Sequence, residues 1–131
     1  MADAVASQTL MDGPRNCVMK FTNISDGTGE ANVLKVDVSA LEAWNGLTCT
    51  GVKIDKIEYT TDGMSVNILW DATTDVVAMT LPANMSDCLE FCDAPLVNNA
   101  GAGKTGDINF TTVGHTSGDK YTIILQKQKK Y

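Results

Sequence analysis

The chain has 131 residues, 44% of them hydrophobic, and a net charge of −6. That length suits one domain with a real core, and that apolar share excludes an intrinsically disordered chain. The acidic balance argues against non-specific nucleic-acid binding, which relies on neutralising many phosphates, and no apolar run approaches the ~20 residues of a membrane helix.

Residues 1–14 read as an extended arm. Ala, Ser, Gln, Asp and Gly dominate it, Val5 and Leu10 stand isolated, and Pro14 closes it. Such a segment is too weakly apolar to pack alone, so it either orders against a neighbour or stays loose. Its start, Met1-Ala2-Asp3-Ala4-Val5, lacks the basic residues and apolar stretch of a signal peptide, which points to production in the cytoplasm.

Residues 15–131 read as a single domain of strands. Along 16–24, Cys17, Met19 and Phe21 alternate with Val18, Lys20 and Thr22. Residues 25–30 form a loop whose acidic and glycine content resembles calcium loops but lacks the D-x-[DN]-x-[DN]-G pattern, so it reads as a plain turn. Leu34, Val36 and Val38 are in step on a strand over 32–38. Ser39 with Glu42 three residues on fits a capping box, with Gly46 past the end, and predicts a short helical turn carrying Leu41 and Trp44.

The clearest alternation runs from Gly51 to Leu81. Val52 and Ile54 lie on one face, and Ile57 and Tyr59 restore the pattern after a one-residue slip, which predicts a β-bulge near Asp55-Lys56. Thr60-Thr61-Asp62-Gly63 turns the chain with the Asp-Gly signal of a hairpin. Met64, Val66, Ile68 and Trp70 follow at period two, and after a turn over 71–75 so do Val77, Met79 and Leu81. A short strand over 87–92 carries Leu89 and Phe91 on one side.

The loop 98–106 contains Gly103-Lys104-Thr105, but the position of the first Walker glycine is Asn98, and an alternating strand (107–113) follows rather than a helix. Without a helix N-terminus there is no array of N–H groups to cradle phosphate, so the loop reads as a contact loop. A turn over 114–119 holds His115 as an exposed residue, and the last strand (120–128) alternates Tyr121, Ile123 and Leu125 with Thr122, Ile124 and Gln126. The end, Lys127-Gln128-Lys129-Lys130-Tyr131, reads as a solvated basic terminus able to touch an acidic neighbour.

Cys17, Cys49, Cys88 and Cys92 lack paired C-x-x-C spacing and have only His115 to complete a zinc site. They read as buried free thiols, with a disulfide or metal site as the alternative. No nucleophile–base pair stands out, so no catalytic residue, cofactor or metal is expected. About eight strands, turns every 8–12 residues and at most one helical turn predict an all-β antiparallel sandwich, jelly-roll-like or Greek-key.

The strings MKFTNISDGTGEA (19–31), VDVSAL (36–41), ILWDATTDV (68–76), NNAGAGKTGDINFTT (98–112) and GHTSGDKYTIIL (114–125) resemble those of small structural (virion) proteins of tailed bacteriophages, over nearly the whole chain. That group has no defined activity, so the resemblance carries over no functional residue. It implies a non-enzymatic virion component, foremost a head decoration (cement) protein that packs on the major capsid protein and on itself, as a homo-trimer, without nucleic acid or membrane. A neck or tail component, or a carbohydrate-binding sandwich on a fibre or baseplate, are the alternatives. The inter-subunit contacts expected on this reading are Val5 and Leu10 on the arm, Trp44, Lys104 in the glycine-rich loop, and Lys127, Lys129 and Lys130 at the C-terminus.

Overall fold

The computed structural model describes residues 4–13, 15–27, 29–41, 46–91 and 95–130; of Ala4, Ala40 and Lys130 it describes the backbone alone. Among the described residues nine strands form two antiparallel sheets: β1 (Ala4–Asp12), β2 (Asn16–Ile24), β3 (Val33–Val36), β4 (Gly51–Asp62), β5 (Ser65–Trp70), β6 (Val76–Leu81), β7 (Ser86–Glu90), β8 (Ile108–Val113) and β9 (Lys120–Lys130). The first sheet has the order β1-β2-β9-β4-β7 and the second β3-β8-β5-β6. Only β1–β2 and β5–β6 are successive strands paired within a sheet. Every other connection crosses between sheets, and the order of β2 to β9 is that of a jelly roll, with β1 added at one edge.

Alternation explains the core. Cys17, Phe21, Ile54, Ile57, Ile123 and Leu125 from the first sheet meet Val36, Val66, Ile68, Ile108 and Phe110 from the second, all with no exposed surface. Phe110 is the centre: its ring packs edge-on against Phe21 (5.3 Å between centroids) and against Tyr121 (5.9 Å), an arrangement favoured by the ring quadrupoles. The bulge expected near Asp55 is present: Ile54 pairs with Lys127 and Lys56 with Gln126, leaving Asp55 over. The extra residue turns both Ile54 and Ile57 inward, which strict alternation forbids.

Three expectations are corrected. The arm is not a separate extension: Ala4–Asp12 is a strand paired to β2 along its length, with a register shift between Thr9 and Met11. The Asp62-Gly63 turn is not a hairpin, because β4 and β5 lie in different sheets. The chain turns a corner there, with Gly63 at φ +86° donating its N–H to Asn84 Oδ1 at 2.9 Å. A Cβ at Gly63 would also run into the Asp119 carboxylate, so the glycine serves close packing as well as turning. The turn after β3 is a single 3-10 turn, Val38–Ala40, capped by Asp37 rather than Ser39. The Asp37 carboxylate accepts from both the N–H (3.1 Å) and the hydroxyl (2.6 Å) of Ser39, and so occupies the hydroxyl that would have capped. Glu42 and Trp44 lie outside the described residues.

One end of the sandwich is closed by Glu30, buried in the loop read as a plain turn. Its Oε1 accepts from Tyr121 Oη at 2.5 Å and Asn23 Nδ2 at 2.9 Å, and its Oε2 pairs with Lys35 Nζ at 2.5 Å. Lys35 reaches inward because β3 shifts register between Leu34 and Val36, a bulge that re-aims it below the Phe110 ring, 6.0 Å from its centroid. Glu30 N–H donates to Thr112 Oγ1 (2.8 Å) and its carbonyl accepts from Thr112 N–H (2.9 Å). Removing one partner of a buried ion pair strands the other, at a cost of about 3–5 kcal/mol. Glu30→Ala is therefore expected to lower unfolding free energy by about that amount in urea denaturation, and Lys35→Met in the same chain to restore part of it.

Candidate interaction surface

Four strands are sheet edges: β1 and β7 in the first sheet, β3 and β6 in the second. Phe21 on β2 packs on Phe110 on β8, so β1 and β3, each one strand further out, share a flank. Val5 to Met11 of β1 are all exposed, those on the inner face included, so β1 reaches past the cover of the second sheet. Cross-strand pairs share a face. Ser7 pairs with Phe21, Val5 with Asn23 and Thr9 with Met19, so these three face inward in parity yet remain exposed. Val5 is 50% exposed, Leu10 48% and Met11 47%. Val33 and Leu34 on β3 add exposed apolar surface to the same flank.

The two edges of the first sheet are built differently. Strand β7 is five residues long, carries Asp87 and Glu90, and lies beside Lys56, which pairs with Glu58 at 3.0 Å and Glu90 at 4.0 Å. Charge and shortness are how proteins blunt an edge against unwanted pairing. Strand β1 has nine residues, AVASQTLMD, with one charge, at its last position. It is the less guarded edge, interrupted only by the bulge at Leu10.

Of the contacts expected from sequence, Val5 and Leu10 therefore lie together on an exposed edge. Lys104 is also exposed, on the far loop, where it lines a cleft of 250 Å³ with Lys53, Val97 and Asn98. The backbone of that loop is tied down: Thr105 N–H donates to Asp71 O (3.2 Å), Lys104 N–H to Gly101 O (3.3 Å), and Thr73 N–H to Ala102 O (3.2 Å). The loop leads into strand β8, as the sequence pattern indicates. Trp44 lies outside the described residues, and so does the side chain of Lys130.

Lys127 and Lys129 are corrected. They are not a solvated terminus: β9 runs on to Lys130 as an interior strand, and both side chains point into the sandwich. Lys127 is 0% exposed, opposite Cys17 and Ile54, and its Nζ has no hydrogen-bond partner and sits 5.9 Å from the centre of the Phe21 ring. Burial holds its amine down to about 8, against the raising influence of Cys17, Asp12 and Cys49. Lys129 pairs with Asp12 of β1. Burial in turn pushes the Cys17 thiol up, so it stays protonated. Cys49 is buried as expected and its Sγ donates to Gly51 O at 3.1 Å, whereas Cys88 is exposed on β7, opposite Glu58 on the outer face. Cys92 lies outside the described residues. His115 is half-buried rather than exposed, its Nδ1 3.1 Å from Thr112 Oγ1.

The chain matches no protein-family model and no curated protein sequence. Val5→Lys with Leu10→Lys is expected to change unfolding free energy by no more than about 0.5 kcal/mol, as for exposed positions generally. Sedimentation velocity on the same variant is expected to show weaker self-association than the unaltered chain.

Proposed function

We propose that this chain is a structural component of a virion, a head decoration protein that stabilises the shell by packing on the major capsid protein and on copies of itself. The observation that carries the reading is the unguarded nine-residue edge of β1 beside the exposed apolar residues of β3. An edge strand offers a row of unpaired N–H and C=O groups, a template for pairing with another chain. The resemblance of the sequence strings to phage virion proteins points the same way. So does the jelly-roll order, by analogy only, since that fold also serves lectins.

In this role each copy contributes a modest interface, and repetition over a symmetric shell multiplies it. A closed oligomer is the default for such parts, and a trimer fits the local symmetry of a shell. The sugar-binding alternative needs a flat exposed ring. Among the described residues Trp70, Tyr59, Tyr121, Phe21 and Phe110 are all buried and Phe91 is half-buried.

Quantitative mass spectrometry of purified particles tests the reading. A copy number in simple ratio to the major capsid protein is the expected result. A handful of copies per particle would move the protein to neck or baseplate, and absence from the particle would overturn the virion reading.

A further inference from the structure

Two lysines enter one end of the sandwich, and one of them meets a carboxylate. Lys127 and Lys129 stand one pleat apart on the inner face of β9. The Lys129 side chain is completely buried, and its ammonium is in contact with the carboxylate of Asp12, the last residue of β1, whose side chain is 22% exposed. Lys127 lies in the same cross-strand row as Asp12, because Asp12 pairs with Cys17 and Cys17 with Lys127. Its amine is enclosed without a hydrogen-bond partner, and burial keeps a share of it neutral near neutral pH. An ion pair in so dry a place is held against a large desolvation penalty, and an uncharged product there would not be.

We propose that Asp12 and Lys129 are joined by an intrachain side-chain amide that ties the first strand to the last. The Lys129 ammonium gives one proton to the Asp12 carboxylate it touches, and the neutral amine so formed attacks Cγ of Asp12. The C–N bond forms, a second proton passes from that nitrogen to the same oxygen, and the C–O bond breaks as that oxygen leaves as water. An ammonium and a carboxylate become an amide and one water, with no oxidant or cofactor. The water leaves by the partly open side of Asp12. The link spans β2, which lies between β1 and β9, so β1 could no longer peel from its sheet. It lies within one chain and does not depend on the assembly reading.

The test is the intact mass of the full purified chain under denaturing conditions, followed by sequencing of its digest. The expected result is a chain lighter by one water, about 18 Da, with a branched peptide joining Asp12 and Lys129. Asp12→Ala and Lys129→Arg, the latter keeping the ion pair, are expected to show their full calculated masses. A full-mass wild-type chain after prolonged incubation in the folded state would overturn the proposal. So would a water loss that persists in both Asp12→Ala and Lys129→Arg.

Discussion

The Glu30 carboxylate is the contact on which one end of the fold depends. It takes hydrogen bonds or charge from β9, β2 and β3, and its own backbone is bonded to β8. A loop between β2 and β3 thereby becomes a clasp across both sheets. The clasp works because each oxygen is matched: two neutral donors share Oε1, and one ammonium takes Oε2. Without that saturation a buried carboxylate would be neutral or expelled. Lys35 in turn is available only because β3 carries a bulge, so a local backbone irregularity and a global closure are one feature.

The opposite end solves a similar problem differently. There the charge comes from β9 itself, whose inward positions change from Tyr121, Ile123 and Leu125 to Lys127 and Lys129. One lysine meets Asp12, and the other stands over the Phe21 ring, opposite Cys17. Between these two polar ends lies an ordinary apolar core around Phe110 and Trp70. The middle holds the sheets together, and the ends hold the outermost elements, the loop at one end and β1 at the other. That division leaves the outer edge of β1 open while its inner attachment is strong, the combination a contact strand needs.

Much of this was legible from residue order. The limits of β2, the alternation of β5 and β6, and the bulge at Asp55 follow from side-chain parity, because a buried face tolerates no slip without an extra residue. What parity could not tell is which sheet a strand joins. Asp62-Gly63 has hairpin chemistry but serves as a corner, since the partner of β4 is chosen by distant residues of β9 and β7. Strand β1 was hidden because the apolar residues of AVASQTLMD keep no two-residue period, Leu10 falling out of step at the register shift between Thr9 and Met11. The burial of Lys127 and Lys129 had a signal that hydropathy masked: they continue the odd-numbered series of Tyr121, Ile123 and Leu125 without interruption. Glu30 had none, because the groups that satisfy its carboxylate, Lys35, Asn23 and Tyr121, sit on three strands that only the fold brings together.

The virion role proposed above makes the outer edge of β1 the place where this molecule would meet its neighbours. Hydrogen exchange of residues 4–12, in the free chain and in intact particles, tests it most directly. In the free chain the amides of β1 that point away from β2 should exchange fast, and in the particle they should become protected while those on β7 change little. Equal exchange of β1 in both states would contradict the account and leave the edge without a partner.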